Sequence, residues 1–120
     1  MSQLPDAGWQ EYGYWLLRQR RLFQVVGASM QPTLNPGDRV LASCKSPDVL
    51  LQPGDLVIAQ HPFKPNLRLI KRVSEIFYDG GCYLTSDNVS DPTAQDSRSF
   101  GIVGQDLIVG QVTSVFYRVS

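Results

Sequence analysis

Closely spaced turn signals limit what this chain can fold into more than any other feature. Asn35-Pro36-Gly37-Asp38, Gln52-Pro53-Gly54-Asp55, Asp79-Gly80-Gly81 and Asp91-Pro92 cut it into short pieces, and each combination interrupts regular structure. From Leu22 onward the apolar residues between these signals follow the period of strands. The expected strands are Leu22–Val26, Arg39–Ser43, Asp55–Gln60, Arg68–Phe77, Cys82–Thr85 and Leu107–Tyr117. Many short strands with regular turns indicate an all-β domain, a compact antiparallel barrel or sandwich-like fold.

Two of the turns repeat one pattern. Leu34–Ala42 and Leu51–Ala59 both read L-x-P-G-D-x-V-x-A. Proline presets the first central turn position and glycine supplies the positive φ of the second, as a type II turn requires. Each copy then launches a strand. Two short copies do not make a repeat protein, so this echo belongs to the scaffold.

The first twenty-one residues differ from the rest. Trp9, Tyr12, Trp15, Leu16 and Leu17 recur at helical spacing, with Asp6 placed to cap the start. The expectation is an amphipathic segment over residues 1–21, followed by one β domain over 22–120. A short helix packing its aromatic stripe on that domain is preferred over a peripheral membrane anchor. No stretch reaches the roughly 18–20 consecutive apolar residues of a membrane span. Arg18, Arg20 and Arg21 follow the apolar residues instead of preceding them, unlike a cleavable signal. The expected location is therefore the cytoplasm.

Composition narrows the chemistry. With 11 basic and 11 acidic residues the formal net charge is zero, which disfavours nucleic-acid binding. A metal centre needs three or four convergent ligands, and one histidine with two scattered cysteines, Cys44 and Cys82, does not supply them. No metal or other cofactor is expected. The cysteines read as reduced, partly buried thiols. His61, followed at once by Pro62, reads as an exposed loop residue.

Two side chains remain. Ser29 follows a strand and the small residues Gly27 and Ala28, which let a substrate backbone come close. A serine hydroxyl needs a base before it becomes a useful nucleophile. In Arg68–Ser74, alternation puts Lys71 on one face with Leu69 and Val73, while Arg68, Ile70 and Arg72 point the other way. A lysine among apolar neighbours loses hydration, which lowers its pKa and lets it accept a proton. By itself each residue has a bland alternative: a turn serine and an edge-strand lysine with its ammonium in water.

Together with a third segment, these residues resemble the type I signal peptidases. Gly27-Ala28-Ser29-Met30-Gln31-Pro32-Thr33-Leu34 with Pro36-Gly37-Asp38 is similar to the nucleophile box. Pro53-Gly54-Asp55-Leu56-Val57 followed by Ile70-Lys71-Arg72-Val73 is similar to the lysine box. Ser86-Asp87-Asn88 followed by Asp96-Ser97-Arg98-Ser99-Phe100-Gly101 is similar to the third box, usually read G-D-N and D-S-R-x-x-G. The resemblance implies that Ser29 attacks the scissile carbonyl and that Lys71 takes its proton. The Ser29 N–H would sit in the oxyanion hole, Met30 would line the apolar site, and Asp96 and Arg98 would form a structural ion pair.

The chain departs from the family pattern at two places. Gly27 stands where some members carry a serine that donates a second oxyanion hydrogen bond. Ala94 stands where a hydroxyl residue often orients the lysine, leaving Thr93 or Ser90 to substitute. Typical members also carry transmembrane anchors, which this sequence is not expected to have. Its short loops, His61–Val73 and Asp96–Gly101 in particular, look like the compact soluble proteases that mature nickel-type superoxide dismutase. The implied partner is thus a protein substrate, a nickel superoxide dismutase precursor losing its N-terminal propeptide. Two alternatives stay open: a self-cleaving repressor-type Ser/Lys protease, and a catalytically silent β domain that binds peptides.

Overall fold

The computed structural model describes residues 4–44 and 50–119. Its element order is helix α1 (Trp9–Leu16), strands β1 (Arg21–Gln24), β2 (Arg39–Ser43), β3 (Leu56–Gln60), β4 (Arg68–Ile76) and β5 (Cys82–Thr85), helix α2 (Ser97–Phe100) and strand β6 (Ile108–Tyr117). The strands form one antiparallel sheet in the order β1-β2-β6-β3-β4-β5. This mostly-β fold with one short N-terminal helix was expected. The barrel form was not realised: the sheet stays open, with β1 and β5 as its edges, and is sandwich-like because both its faces are covered.

The covering explains the strand sequences. Antiparallel sheets with one wet face alternate apolar and polar residues, whereas a strand buried on both sides reads as an apolar run. β3 is such a strand: Leu56 and Ile58 join Val40, Ala42, Val112 and Val115 in one core, while Val57 and Ala59 join Val73, Leu84 and Val103 in the other. The first core is closed by Val25, Met30 and Leu34 from the segment after β1. The second is closed by Val103, which bridges to Cys82 across the β5 edge. Each fully buried side chain of this kind contributes about 1.5–3 kcal/mol, so both loops are anchored as firmly as strands.

The two Pro-Gly turns fold as type II turns and do the same work twice. Gly37 and Gly54 have φ of 94° and 99°, a region closed to most side chains. In each turn the aspartate accepts a hydrogen bond from the residue three before it, Asn35 N to Asp38 Oδ2 at 2.9 Å and Gln52 N to Asp55 Oδ2 at 2.8 Å. Each turn also clasps one residue of a distant segment through two backbone bonds. Gly37 N donates to Val25 O and Val25 N to Asp38 O; Gly54 N donates to Val73 O and Val73 N to Asp55 O. The clasp at Val25 explains why β1 stops at Gln24 instead of continuing to Val26, which is exposed.

α1 forms, but not with the expected stripe or cap. Gly8 occupies the N-cap with no side-chain bond; Asp6 instead pairs with Arg118 at 3.4 Å. Of the stripe, Tyr12 and Trp15 lie edge-on to Phe116, with Trp15 half-buried and Tyr12 still 40% exposed, while Trp9, Leu16 and Leu17 are more exposed still. A polar clasp adds to the aromatic one: Glu11 accepts hydrogen bonds from Thr113 Oγ1, from Ser114 Oγ at 2.9 Å and from Arg20 Nε at 3.1 Å. No helix among the described residues is long and apolar enough to cross a membrane. Both cysteines are free thiols, Cys82 buried and Cys44 half-buried.

Candidate active site

Ser29 and Lys71 are 42 residues apart in sequence, yet Lys71 Nζ lies 2.7 Å from Ser29 Oγ. Lys71 sits in the middle of β4, where its backbone is paired with Val57. Only 2% of the residue is exposed. Ser29 stands on the loop after β1, whose next side chain, Met30, is buried in the first core, while Val73 on the lysine strand is in the second.

Burial lowers the Lys71 pKa below 10.5, because an ammonium loses its hydration there. Asp96, Asp91 and Asp87 oppose the shift by attracting the charged form and Arg98 assists it, but desolvation outweighs the carboxylates. Among the described residues Ser29 Oγ is the one hydrogen-bond partner of the amine. An uncharged amine so placed can receive the serine proton.

The loop geometry aims the serine backbone outward. Asn88 N donates to Ser29 O at 2.8 Å, and Asn88 Nδ2 donates to Ala28 O at 3.0 Å. Both carbonyls thus face the third segment, and no acceptor among the described residues takes the Ser29 N–H. Gly27 has φ of 82° and open space where a Cβ would be. A serine there would need a strained backbone, which accounts for the missing second hydroxyl. Val26, beside it, is 87% exposed.

Below the serine lies a buried ion pair that alternation did not reveal. Arg72 was expected to point away from the site, and its direction is opposite to that of Lys71; yet that side is covered by the nucleophile loop. Arg72 Nε and Nη2 meet Asp87 Oδ1 and Oδ2 at 2.9 and 2.8 Å, and Arg72 Nη1 donates to Gly54 O at 2.6 Å. Thr33 Oγ1 donates to Asp87 Oδ2 at 2.6 Å, and Asp87 N donates to the Met30 sulfur at 3.5 Å. One carboxylate thus joins all three boxes. Burial works against its charge, but Arg72 and Thr33 hold its pKa below 3.8.

Asp96 and Arg98 pair at 2.8 Å. Asp96 also accepts from Ser86 Oγ at 2.8 Å, Ser86 N at 3.1 Å and Arg98 N at 3.0 Å, so it caps α2 and ties it to the end of β5. Burial opposes its charge, yet the hydrogen bonds from Arg98 and Ser86 hold its pKa at about 2. Three expectations need correction. Met30 lies in the core under the serine and does not line an open site. Neither Thr93 nor Ser90 bonds to Lys71: Thr93 Oγ1 donates to Asp91 Oδ1 at 2.7 Å, and Ser90 N donates to Asn88 Oδ1 at 3.2 Å. His61 is buried, not exposed. Phe63 N donates to its Nδ1 at 3.0 Å, which leaves Nε2–H to donate to Gln95 Oε1 at 2.9 Å.

Comparison with known proteins gives the family. Residues 17–76, half of the chain, match the family described as signal peptidase, peptidase S26, and the chain belongs to that family. Two curated relatives narrow the likeness within it. Mitochondrial inner membrane protease subunit 1 of Xenopus tropicalis is 30% identical over 106 residues, covering 72% of this chain and 62% of the relative. The Mus musculus protein of the same name is 32% identical over 106 residues, covering 72% and 63%. The chain thus spans about three fifths of the length of these relatives.

Proposed function

We propose that this protein is a serine endopeptidase in which Ser29 is the nucleophile and Lys71 the general base. The observation that carries the reading is the 2.7 Å contact between a serine hydroxyl and a lysine amine whose pKa is lowered by burial. Neutral Lys71 takes the hydroxyl proton as Ser29 Oγ bonds to the scissile carbonyl carbon. The resulting oxyanion accepts a hydrogen bond from the Ser29 N–H, a donor worth about 3 kcal/mol of barrier. The Lys71 ammonium then protonates the departing amine, leaving an ester on Ser29. Lys71, neutral again, deprotonates the water that attacks this ester, and returns that proton to Ser29 Oγ as the carbonyl C–Oγ bond breaks.

The substrate is a protein chain losing an N-terminal propeptide, and the finer proposal is the nickel superoxide dismutase precursor. It is supported by the resemblance of His61–Val73 and Asp96–Gly101 to the compact maturation proteases. Incubating the precursor with the parent protein and with the Ser29→Ala and Lys71→Met variants tests both levels. Cleavage by the parent and its near-complete loss in both variants is expected, with the parent rate rising with pH to a plateau below 10.5. Cleavage that persists in either variant refutes the dyad. Cleavage of other propeptides but not this one refutes the substrate alone.

A further inference from the structure

We infer that Arg21 and Arg68 form an anion-binding subsite that reads an acidic side chain on the peptide substrate. The two residues come from different ends of the sheet, Arg21 from the edge strand β1 and Arg68 from the start of β4. Both converge on one ring. The Arg21 guanidinium carbon lies 5.2 Å and that of Arg68 5.9 Å from the centroid of Phe23. Both arginines are exposed and Phe23 is half-buried against the first core.

Neither arginine has a carboxylate within ion-pair distance among the described residues, although Arg20, Arg72, Arg98 and Arg118 all do. Two like charges drawn to one ring repel each other, and a carboxylate between them would relieve that repulsion. The guanidinium fork suits a carboxylate in particular. The aromatic face holds each head group by a cation–π contact, which limits the rotamers that must be frozen on binding.

The location ties this site to the reaction proposed above, on which the inference rests. Arg68 precedes Lys71 by three residues on β4, about 10 Å along an extended strand, and points to the opposite face, the one shared with Ile70 and Arg72 that the loop carrying Ser29 covers. Phe23 precedes Ser29 by six residues, across the bend at Gly27. A peptide lying extended with its scissile bond at Ser29 would bring a residue three or four positions away to the arginines. The acidic side chain recognised is therefore an Asp or Glu about three residues from the bond cut.

The test uses the Ser29→Ala protein, so that it does not depend on catalysis. Alanine- and serine-based peptides with a neutral fluorophore and a single Glu, moved one position at a time, are compared with Gln counterparts by fluorescence anisotropy. The expected result is about fivefold tighter binding of the Glu peptide at one position or two adjacent ones, as exposed ion pairs provide. The preference should shrink on adding salt and vanish when Arg21→Gln and Arg68→Gln are added, changes that leave the cores untouched. Equal affinity of both series, or a preference that survives the double change, overturns the subsite. So does arginine-dependent capture by phosphatidylserine vesicles without any peptide preference, which would assign these arginines to a lipid surface. A preference in binding with no cleavage by the parent protein keeps the subsite and refutes the protease reading.

Discussion

Replacing Lys71 by methionine should change how stability depends on pH, not merely how much stability there is. Lys71 has a folded-state pKa below its unfolded value of 10.5 because 98% of the residue is removed from solvent. The unfolded chain therefore binds more protons than the folded one between the two values. Parent stability rises with pH across that interval, by up to about 1.4 kcal/mol per pH unit where the difference approaches one proton. Below the folded pKa the full penalty of the buried charge is present; above 10.5 it is gone. Methionine has similar length and no charge, so the Lys71→Met curve should lack this rise. One other group must be separated from it. Burial raises the Cys82 thiol above 9.0, so Cys82 loses stability as pH rises through 9 and beyond, the opposite sign. Cys82 is common to both proteins and cancels in their difference. Urea unfolding of parent and variant at half-unit steps from pH 6 to 10 measures that difference directly. Methionine should be the more stable at pH 6, with the parent gaining on it as pH rises. Parallel curves would mean that Lys71 is as hydrated in the folded state as in the unfolded, and the neutral-base argument would fall with them.

Three further outcomes follow from the same structure. Arg72→Met leaves the Asp87 carboxylate, 4% exposed, without its charge partner and should cost about 3–5 kcal/mol in urea unfolding, most of it recovered in the double change Arg72→Met with Asp87→Leu. Gly27→Ser, which installs the hydroxyl found in some relatives, should destabilise by about 1–2 kcal/mol without raising the cleavage rate, because φ of 82° opposes any side chain there. Asp96, with its pKa depressed from 3.8 to about 2, contributes stability that is present above 3.8 and lost as pH falls through 2. Solvent screening at the half-exposed Arg98 reduces this to about 1–2 kcal/mol, and acid titration of Asp96→Asn should lack that loss.

Apart from β1, whose end is set by the clasp at Val25, the strands were legible almost to the residue because their ends are set locally. Arg39–Ser43 and Cys82–Thr85 begin and end where alternation meets a turn, and the Pro-Gly pairs dictate those turns without outside help. Ser29 and Lys71 could be singled out because one is flanked by small residues and the other by apolar ones. What stayed hidden depends on segments distant in sequence. His61 precedes a proline in a polar stretch and so resembles an exposed loop residue; it is covered by Gln95 and Phe100, more than thirty residues later. Arg72 alternates away from Lys71, but nothing in its own strand shows that the nucleophile loop covers that face and that Asp87 meets it. Alternation tells which residues share a face, but not what lies opposite. In α1 the spacing predicted one continuous stripe, yet Phe116 offers a single ring, wide enough for Tyr12 and Trp15 only.

The paired Pro-Gly clasps carry an implication for how this chemistry endures. One grips the main chain four residues before the hydroxyl, the other two residues after the amine, and each does so with the same pair of amide links. Both sides of the gap across which a proton would travel are thus gauged by backbone, with two matching jigs on one frame. Lengthening either turn by one residue would misalign that gap even if every reactive group were retained.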